Sequence, residues 1–346
     1  CSLARGECRV AGRLSTLHIG LVVDGTDHFL RPIESALRES HAVERFSPRF
    51  VRLPLIGKRV NDQLLRWQLI RFMKRNDVTF FEWVGDLAVL ASHLPKCGRI
   101  VMRLHSVELA VSASKVAWEN VDRLIMLNQT LARHFHKIVQ GATPEITLIS
   151  NGVNLKRFVY EPRSFNYHLG MVANLRPIKR IYEVILGLYV LRQSGYPFEL
   201  YVAGKPILGE DMRYAWSLES LVAKLGLSSH VFFEGYVSDI SDWLHKIDVF
   251  ISNSYWEGQQ VALLEAMASG CYCLSHCWDG VEEILPSEQI FTTDSDLRAK
   301  LLAYAALSEE EQRQAQARMR AIAEEKFDER RMVREMIAVI ETAGGK

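Results

Sequence analysis

The chain has 346 residues, 48% of them hydrophobic and 24% charged, which is enough apolar surface for two ordinary domain cores and excludes a disordered chain. The formal net charge of +1 hides a split: residues 1–165 carry 24 Lys and Arg against 15 Asp and Glu, and the remainder carries 18 against 26. No nucleic-acid-binding motif accompanies the basic half, so nucleic acid is not an expected partner; an anionic membrane leaflet or an anionic acceptor suits it.

No apolar run reaches the length of a membrane span, and no long apolar stretch near the N-terminus suggests a secretory signal. Residues 1–15 read as a polar, poorly ordered lead-in. Six cysteines are present. Cys271, Cys273 and Cys277 sit on an alternating strand-like run without a zinc-finger spacing, so they read as small core residues. Free thiols fit a reducing cytoplasm, with any membrane contact peripheral and at the inner face.

In chain order, Leu17–Val23 is a near-continuous apolar run, as a parallel strand covered on both faces requires. Asp24-Gly25-Thr26-Asp27 forms the turn after it, and Phe29–Glu39 reads as an amphipathic helix with Pro32 in its first turn. Phe50–Leu55 is predicted as a second strand. Asn61-Asp62 is predicted to cap a helix running to Arg75. That helix carries Arg66, Arg71, Lys74 and Arg75, with Lys58 and Arg59 before it. It reads as a layer helix with a solvated basic face, or as a basic amphipathic helix resting on an anionic membrane.

Val78–Phe81 is a strand ending at Glu82, and Leu87–Leu94 a helix. Arg99–Leu104 is a strand ending at His105, and Val121–Leu127 another. Gln129–Val139 is a helix and Ile146–Ile149 the last strand of this half. Alternating strand and helix argues a doubly wound parallel sheet. Asn151-Gly152-Val153-Asn154 breaks the pattern and marks a boundary. We take residues 1–155 as the N-terminal domain, 156–326 as the C-terminal domain and 327–346 as a closing helix.

The second half restarts with strand Tyr167–Ala173, helix 178–193 and strand Phe198–Ala203. It continues with helix 212–225, strand Val231–Phe233 and a short helix Asp239–His245 that Ser238 would cap. Val249–Ile251 is a strand. From Gln260 a helix runs to Gly270, which is placed to end it. Tyr272–Ser275 is a strand. Asp294-Ser295-Asp296 reads as a helix N-cap before Leu297–Leu307, and two further helices close the chain.

The stretch Tyr255–Gly270 carries the most chemistry. A strand, a turn and a helix N-terminus offer free backbone N–H groups and a partial positive charge, which suit a phosphate. Glu257 and Glu265, eight apart, flank that end and can accept hydrogen bonds from sugar hydroxyls. Other polar residues stand at strand ends, where open α/β sheets bind ligands: Asp24, Glu82, His105, Asn174 and Gly204-Lys205.

This stretch resembles the E-x7-E signature of retaining glycosyltransferases of family 4, nucleotide-sugar enzymes of group 1 with the GT-B fold. Glu257 and Glu265 match the two acids, and Glu265-Ala266-Met267-Ala268-Ser269-Gly270 matches the continuation. Asp279-Gly280 with Glu283 matches a later loop, and Asn151-Gly152-Val153-Asn154 the interdomain linker. The resemblance is strong over residues 145–285 and weak before them. It implies two Rossmann-like α/β domains facing a cleft, with the last helix crossing back to the N-terminal domain.

The resemblance further implies transfer of a sugar from a nucleotide-sugar to a glycan, lipid-linked or small-molecule hydroxyl, with retention of configuration. Glu257 would bind the donor sugar and Glu265 the ribose. Backbone N–H groups from Gly258 through Gln259, Gln260, Val261 and Ala262 would hold sugar or phosphate oxygens, and Tyr236 and Val237 would lie near the base. Lys179 matches the lysine that stabilises the leaving diphosphate. Asn174 replaces the arginine expected beside it, so Arg176 or Arg180 would supply that charge. His105 would face the transferred sugar, and Gly25 matches the glycine-rich first loop. Glu82 is a candidate acceptor contact or base from its position. No cofactor and no metal are expected, with a UDP- or GDP-sugar as substrate. The alternatives are a non-catalytic nucleotide-sugar-binding protein and a sugar-nucleotide epimerase of the same fold.

Overall fold

Two six-stranded parallel sheets, each flanked by helices, form the frame of the chain; the computed structural model describes residues 16–51, 57–207 and 209–345. The first sheet contains β1 (His18–Val22), β2 (Ala42–Arg45), β3 (Val78–Phe81), β4 (Arg99–Leu104), β5 (Arg123–Met126) and β6 (Glu145–Leu148), in the order β2-β1-β3-β4-β5-β6. The second contains β7 (His168–Val172), β8 (Glu199–Ala203), β9 (Val231–Gly235), β10 (Val249–Ser252), β11 (Tyr272–His276) and β12 (Ile290–Phe291), in the order β12-β11-β10-β7-β8-β9.

Helices α1 (Leu30–Leu37), α2 (Gly57–Arg75), α3 (Asp86–Ser92), α4 (Ser106–Val111) and α5 (Gln129–Ile138) belong to the first half. The second half has α6 (Ile181–Gln193), α7 (Glu210–Lys224), α8 (Ile240–Leu244), α9 (Val261–Ala268), α10 (Asp294–Ala305), α11 (Glu309–Lys326) and α12 (Glu329–Ala343). The strands are apolar on both faces because helices cover both; β3 and β10 are buried at every position.

Four local expectations are corrected. The second strand is Ala42–Arg45, which pairs with β1. Phe50 and Val51 carry no regular structure, and residues 52–55 of that predicted strand lie outside the described residues. An edge strand with two charged residues in four gives little apolar signal, so it was invisible in the sequence. Helix α2 begins at Gly57, so Asn61 does not cap it; its side chain instead bonds the backbone of Val51 in both directions, at 2.8 and 3.0 Å. Asp239 rather than Ser238 caps α8, accepting from the N–H groups of Ser241 and Asp242. Thr293 caps α10, which puts Asp294 and Asp296 in the first turn, where acids complement the helix dipole.

The last helix packs on the first sheet. Met332, Met336, Ile340 and Ala343 form a helical stripe buried with Leu17, Ile19, Val78, Phe80 and Val101. Full burial of such side chains is worth about 1.5–3 kcal/mol each. The chain therefore crosses between the halves twice, and the crossings touch: Val153 N–H donates to the Phe327 carbonyl at 2.7 Å, and Glu329 N–H to the Val153 carbonyl at 3.1 Å.

Each sheet has one switch point where strand order reverses, between β1 and β3 in the first and between β7 and β10 in the second. The loops at the carboxyl ends of these strands form the crevice where such sheets take ligands. They carry Asp24, Gly25, Glu82 and Trp83 on one side, and Asn174 and the 253–260 loop on the other.

Candidate active site

The loop after β10 leads through Glu257 to Gln260, which stands at the N-cap of α9. Gly270, at φ +75°, follows the C-cap residue Ser269. The N-cap residue Gln260 and Glu265 of α9 contribute to one wall of a cavity of about 360 Å³. Asn174, Lys179, Tyr236, Val237, Gln260 and Glu265 line it, together with Val172, Ala173, Ala203, Gly204 and Ile240. Seven residues named from the sequence, Gly204 included, thus converge on one space.

Lys179 and Glu257, given separate roles by the sequence reading, form a direct ion pair through Nζ and Oε1, and Ser254 Oγ donates to the same oxygen at 2.6 Å. Glu265 lies in the second turn of α9. Burial pushes its carboxyl up to about 7, with Arg157 pulling the other way. Glu265 also lines a second cavity of about 410 Å³ that includes His28, Phe29, Arg157 and Val261. Arg157, Ser254 and Ile240 escaped the sequence reading, because no residue pattern marks them as neighbours of the acids. Tyr236 is 76% exposed, with the Lys205 ammonium 5.8 Å from its ring centre.

The two arginines proposed for the missing charge at Asn174 are held elsewhere. Arg176 Nε lies 3.4 Å from Asp211 on α7, and it does not line the cavity. Arg180 is buried in the left-handed region at φ +51°, 3.1 Å from Asp294 and 4.9 Å above the Tyr255 ring. Lys179 is therefore the one lysine or arginine lining this cavity among the described residues.

The opposite wall is built on β1, β3 and β4. Gly25 lies under Trp83: a Cβ there would come within 3.0 Å of the indole. His105 is 6% exposed, stacked on Trp83 at 4.1 Å and on Phe29 at 5.5 Å between ring centres. Its Nε2 lies 3.4 Å from Glu82 Oε1. Glu82 itself is fully buried, and Arg103 NH1 donates to the same oxygen at 3.0 Å. Its side chain therefore meets the cleft only through His105.

The walls touch. Gly258 packs against Ser106 so closely that a Cβ would sit 2.7 Å from the serine Cβ, and Asn128 Nδ2 donates to its carbonyl at 2.6 Å. Gln259 turns away from the cavity and accepts the Asn151 N–H at 2.6 Å. Glu283 accepts the N–H groups of Gln129 and Thr130 at the start of α5, each at 2.9 Å, and His134 Nε2 lies 2.5 Å from Asp279.

Among the described residues no group of three His, Cys, Asp or Glu is arranged to hold a metal ion. Cys271 and Cys273 are buried, and burial pushes the Cys271 thiol up to about 11. No helix among the described residues is long and apolar enough to cross a membrane.

Residues 166–308 match the family model described as glycosyl transferases group 1. This segment is similar to the group 1 glycosyltransferases. Over 126 residues the chain is 31% identical to a Rhizobium meliloti lipopolysaccharide core biosynthesis mannosyltransferase, LpsB, covering 35% of this chain and 36% of that protein. Over 144 residues it is 26% identical to the Escherichia coli UDP-Gal:α-D-GlcNAc-diphosphoundecaprenol α-1,3-galactosyltransferase, covering 38% and 36%. The chain spans about a third of the length of the curated relatives it matches.

Among solved structures, Anabaena HepE in complex with UDP and glucose superposes with a TM-score of 0.77 at 17% identity, over 94% of this chain and all of that one. The sucrose-phosphate synthase of Thermosynechococcus elongatus gives 0.72 at 15% identity, over 93% and 98%. These likenesses cover both halves of the chain, which has the GT-B fold; the group 1 segment is its C-terminal half.

Proposed function

We propose that the chain is a retaining glycosyltransferase that moves a sugar from a nucleotide-sugar, UDP- or GDP-linked, to a hydroxyl acceptor. The observation that carries this is the cavity at the second switch point, lined by Lys179, Gln260 and Glu265, with Glu257 ion-paired to Lys179. The diphosphate would lie against the α9 N-terminus and Lys179, the sugar against Glu257 and the ribose against Glu265. The exposed Tyr236 beside Val237 suits the flat face of the base. Relatives point the same way: the E. coli protein is named for UDP-Gal, and HepE was crystallised with UDP-glucose.

In this scheme the acceptor oxygen approaches the anomeric carbon on the face that the diphosphate leaves. The acceptor proton passes to a phosphate oxygen as the bond from carbon to diphosphate breaks. Lys179 offsets the charge that grows on the leaving diphosphate. His105 borders the sugar from the opposite wall. The reaction would take place at the cytoplasmic face. Exposed Lys58, Arg59, Arg66, Arg71 and Lys74 share α2 with Trp67, itself 54% exposed and 5.4 Å from the Arg71 guanidinium, and support a peripheral contact with an anionic leaflet.

A non-catalytic nucleotide-sugar binder is the second reading, favoured by Asn174 where a cation is expected and by Arg176 turned to Asp211. A thermal-shift and hydrolysis screen with UDP-, GDP- and ADP-sugars separates the two. Stabilisation by one nucleotide series with slow sugar release establishes the transferase and its donor class. Binding without release, candidate acceptors included, supports the binder, and no binding removes both.

A further inference from the structure

Arg103 is the residue whose placement the scheme above leaves unexplained. It lies on β4 with no exposed surface, after the apolar run Ile100-Val101-Met102. An isolated buried guanidinium is costly, so such a residue persists only with partners that fix its geometry. Arg103 has two. NH1 donates to Glu82 Oε1 at 3.0 Å, and NH2 donates to Asn151 Oδ1 at 2.7 Å.

Each partner leads to one wall of the cleft. Glu82 Oε1 is shared with His105, whose Nε2 is 3.4 Å away. Asn151 N–H donates to Gln259 Oε1 at 2.6 Å, and Gln259 lies in the loop between Glu257 and α9. All five side chains are buried, with none more than 8% exposed. A chain of hydrogen bonds therefore runs from Glu82 through Arg103 and Asn151 to the loop before α9, with His105 Nε2 3.4 Å from its Glu82 end. Three atoms of these residues, Glu82 Oε2, Arg103 Nε and His105 Nε2, are buried without a hydrogen-bond partner. A brace serving packing alone is expected to satisfy its polar atoms.

We propose that Arg103 is a positioning residue. Through Glu82 it fixes the tautomer and orientation of His105, and through Asn151 and Gln259 it ties that setting to the donor loop. The Glu82 carboxylate, held by Arg103 3.4 Å from Nε2, calls for the ring proton on that nitrogen, and the other side of the ring accepts the Glu108 N–H at the start of α4. Stacking on Trp83 and Phe29 holds the ring plane. The guanidinium fork is essential, because it alone reaches two acceptors at fixed angles; a lysine keeps the charge and loses the bridge.

The consequence for transfer rests on the proposed function, but the positioning can be read without it. Nitrogen chemical shifts of the His105 ring, measured by NMR with and without UDP, report the tautomer directly. In the native chain the proton is on Nε2 and the ring signals move when UDP binds. Glu82→Gln mixes the tautomers, and Arg103→Lys abolishes the response to UDP while leaving UDP affinity within threefold. If transfer occurs, Arg103→Lys lowers kcat at least tenfold with donor KM little changed. A native ring with its proton on Nδ1 overturns the proposal, as does an unaltered UDP response in Arg103→Lys. If these ring signals behave as expected and no nucleotide-sugar is consumed, the functional reading fails and the positioning stands. Both substitutions nearly conserve volume, and near-ultraviolet circular dichroism confirms that the ring signals come from folded protein.

Discussion

Glu265 in the C-terminal domain and Glu82 in the N-terminal domain are both acids drawn away from water beside the same cleft, yet their surroundings differ. Glu82 lies against the Arg103 guanidinium. Glu265 feels Arg157 only as a minor influence, and burial outweighs it, so its carboxyl is raised to about 7. The C-terminal wall thus holds an acid without a close cation, which the proposed function gives to a ligand's hydroxyls, while the opposite wall uses its acid to hold a framework. Where a buried carboxylate has an intimate cation it builds structure, and where it lacks one it is poised to bind.

The sharpest way to break this contrast is at Glu257, which sits between the two cases, paired with Lys179 yet lying beside the cavity. Glu257→Ala is expected to lower transfer on the order of 10²–10³-fold, the usual cost of removing one preorganised polar group at a reacting centre. Its thermal midpoint should stay close to the parent's, because the residue lies in a loop. Turnover retained at parental level would remove the sugar-contact role.

The pH dependence of Glu265 is the next largest effect. Its folded pKa of about 7 lies above the ordinary value of 4.5, so the native state holds a proton that the unfolded state has lost. Stability is therefore lost as pH rises from about 4.5 to about 7 and is flat above, by about 3 kcal/mol in all. Urea unfolding of the native chain and Glu265→Gln at pH 5 and pH 8 measures this: the difference between the two proteins should shrink or reverse toward pH 8. Parallel curves would mean that the acid is not desolvated. UDP affinity should rise toward pH 7 in the native chain, as the carboxylate becomes able to accept the ribose hydroxyls, and lose that rise in Glu265→Gln.

Lys179→Ala sharpens the comparison from the cation's side. It should weaken nucleoside diphosphate binding by about 1–3 kcal/mol, the range for a charged hydrogen bond. Calorimetric titration with UDP and GDP checks it, and an unchanged affinity would detach Lys179 from the phosphates.

The gathering of residues around α9 was largely legible in the sequence and the opposite wall was not, for physical reasons. Glu257, Glu265 and Lys179 sit on short local patterns, a turn into a helix and a strand end, where neighbours in sequence are neighbours in space. Arg103 is the fifth of the six residues of Arg99–Leu104, whose apolar run announces only a buried strand. Its partners Glu82 and Asn151 are 21 and 48 residues away. Edge strand β2 was missed because half its residues are charged, and α4 because six residues carry no period. Arg176 looked available from its spacing, but Asp211 lies next to it in the fold.

The smallest expected effect tests whether the two walls hold each other as drawn. Glu283 was singled out only as part of a loop after Asp279-Gly280, yet its carboxylate accepts two N–H groups at the start of α5 in the other domain. That is an N-cap supplied across the cleft, beside the local cap in which Asn128 accepts the Leu131 N–H at 2.8 Å. Removing a cap costs about 0.5–2 kcal/mol, and this one is partly solvated and backed by a second, so Glu283→Ala should destabilise by about 1 kcal/mol or less. UDP affinity should not change, since Glu283 does not line the donor cavity. A loss of UDP affinity in this variant would show that the N-terminal domain sets the donor loop through α5 as well. An unchanged unfolding midpoint would mean that the cleft does not rest on this contact in solution.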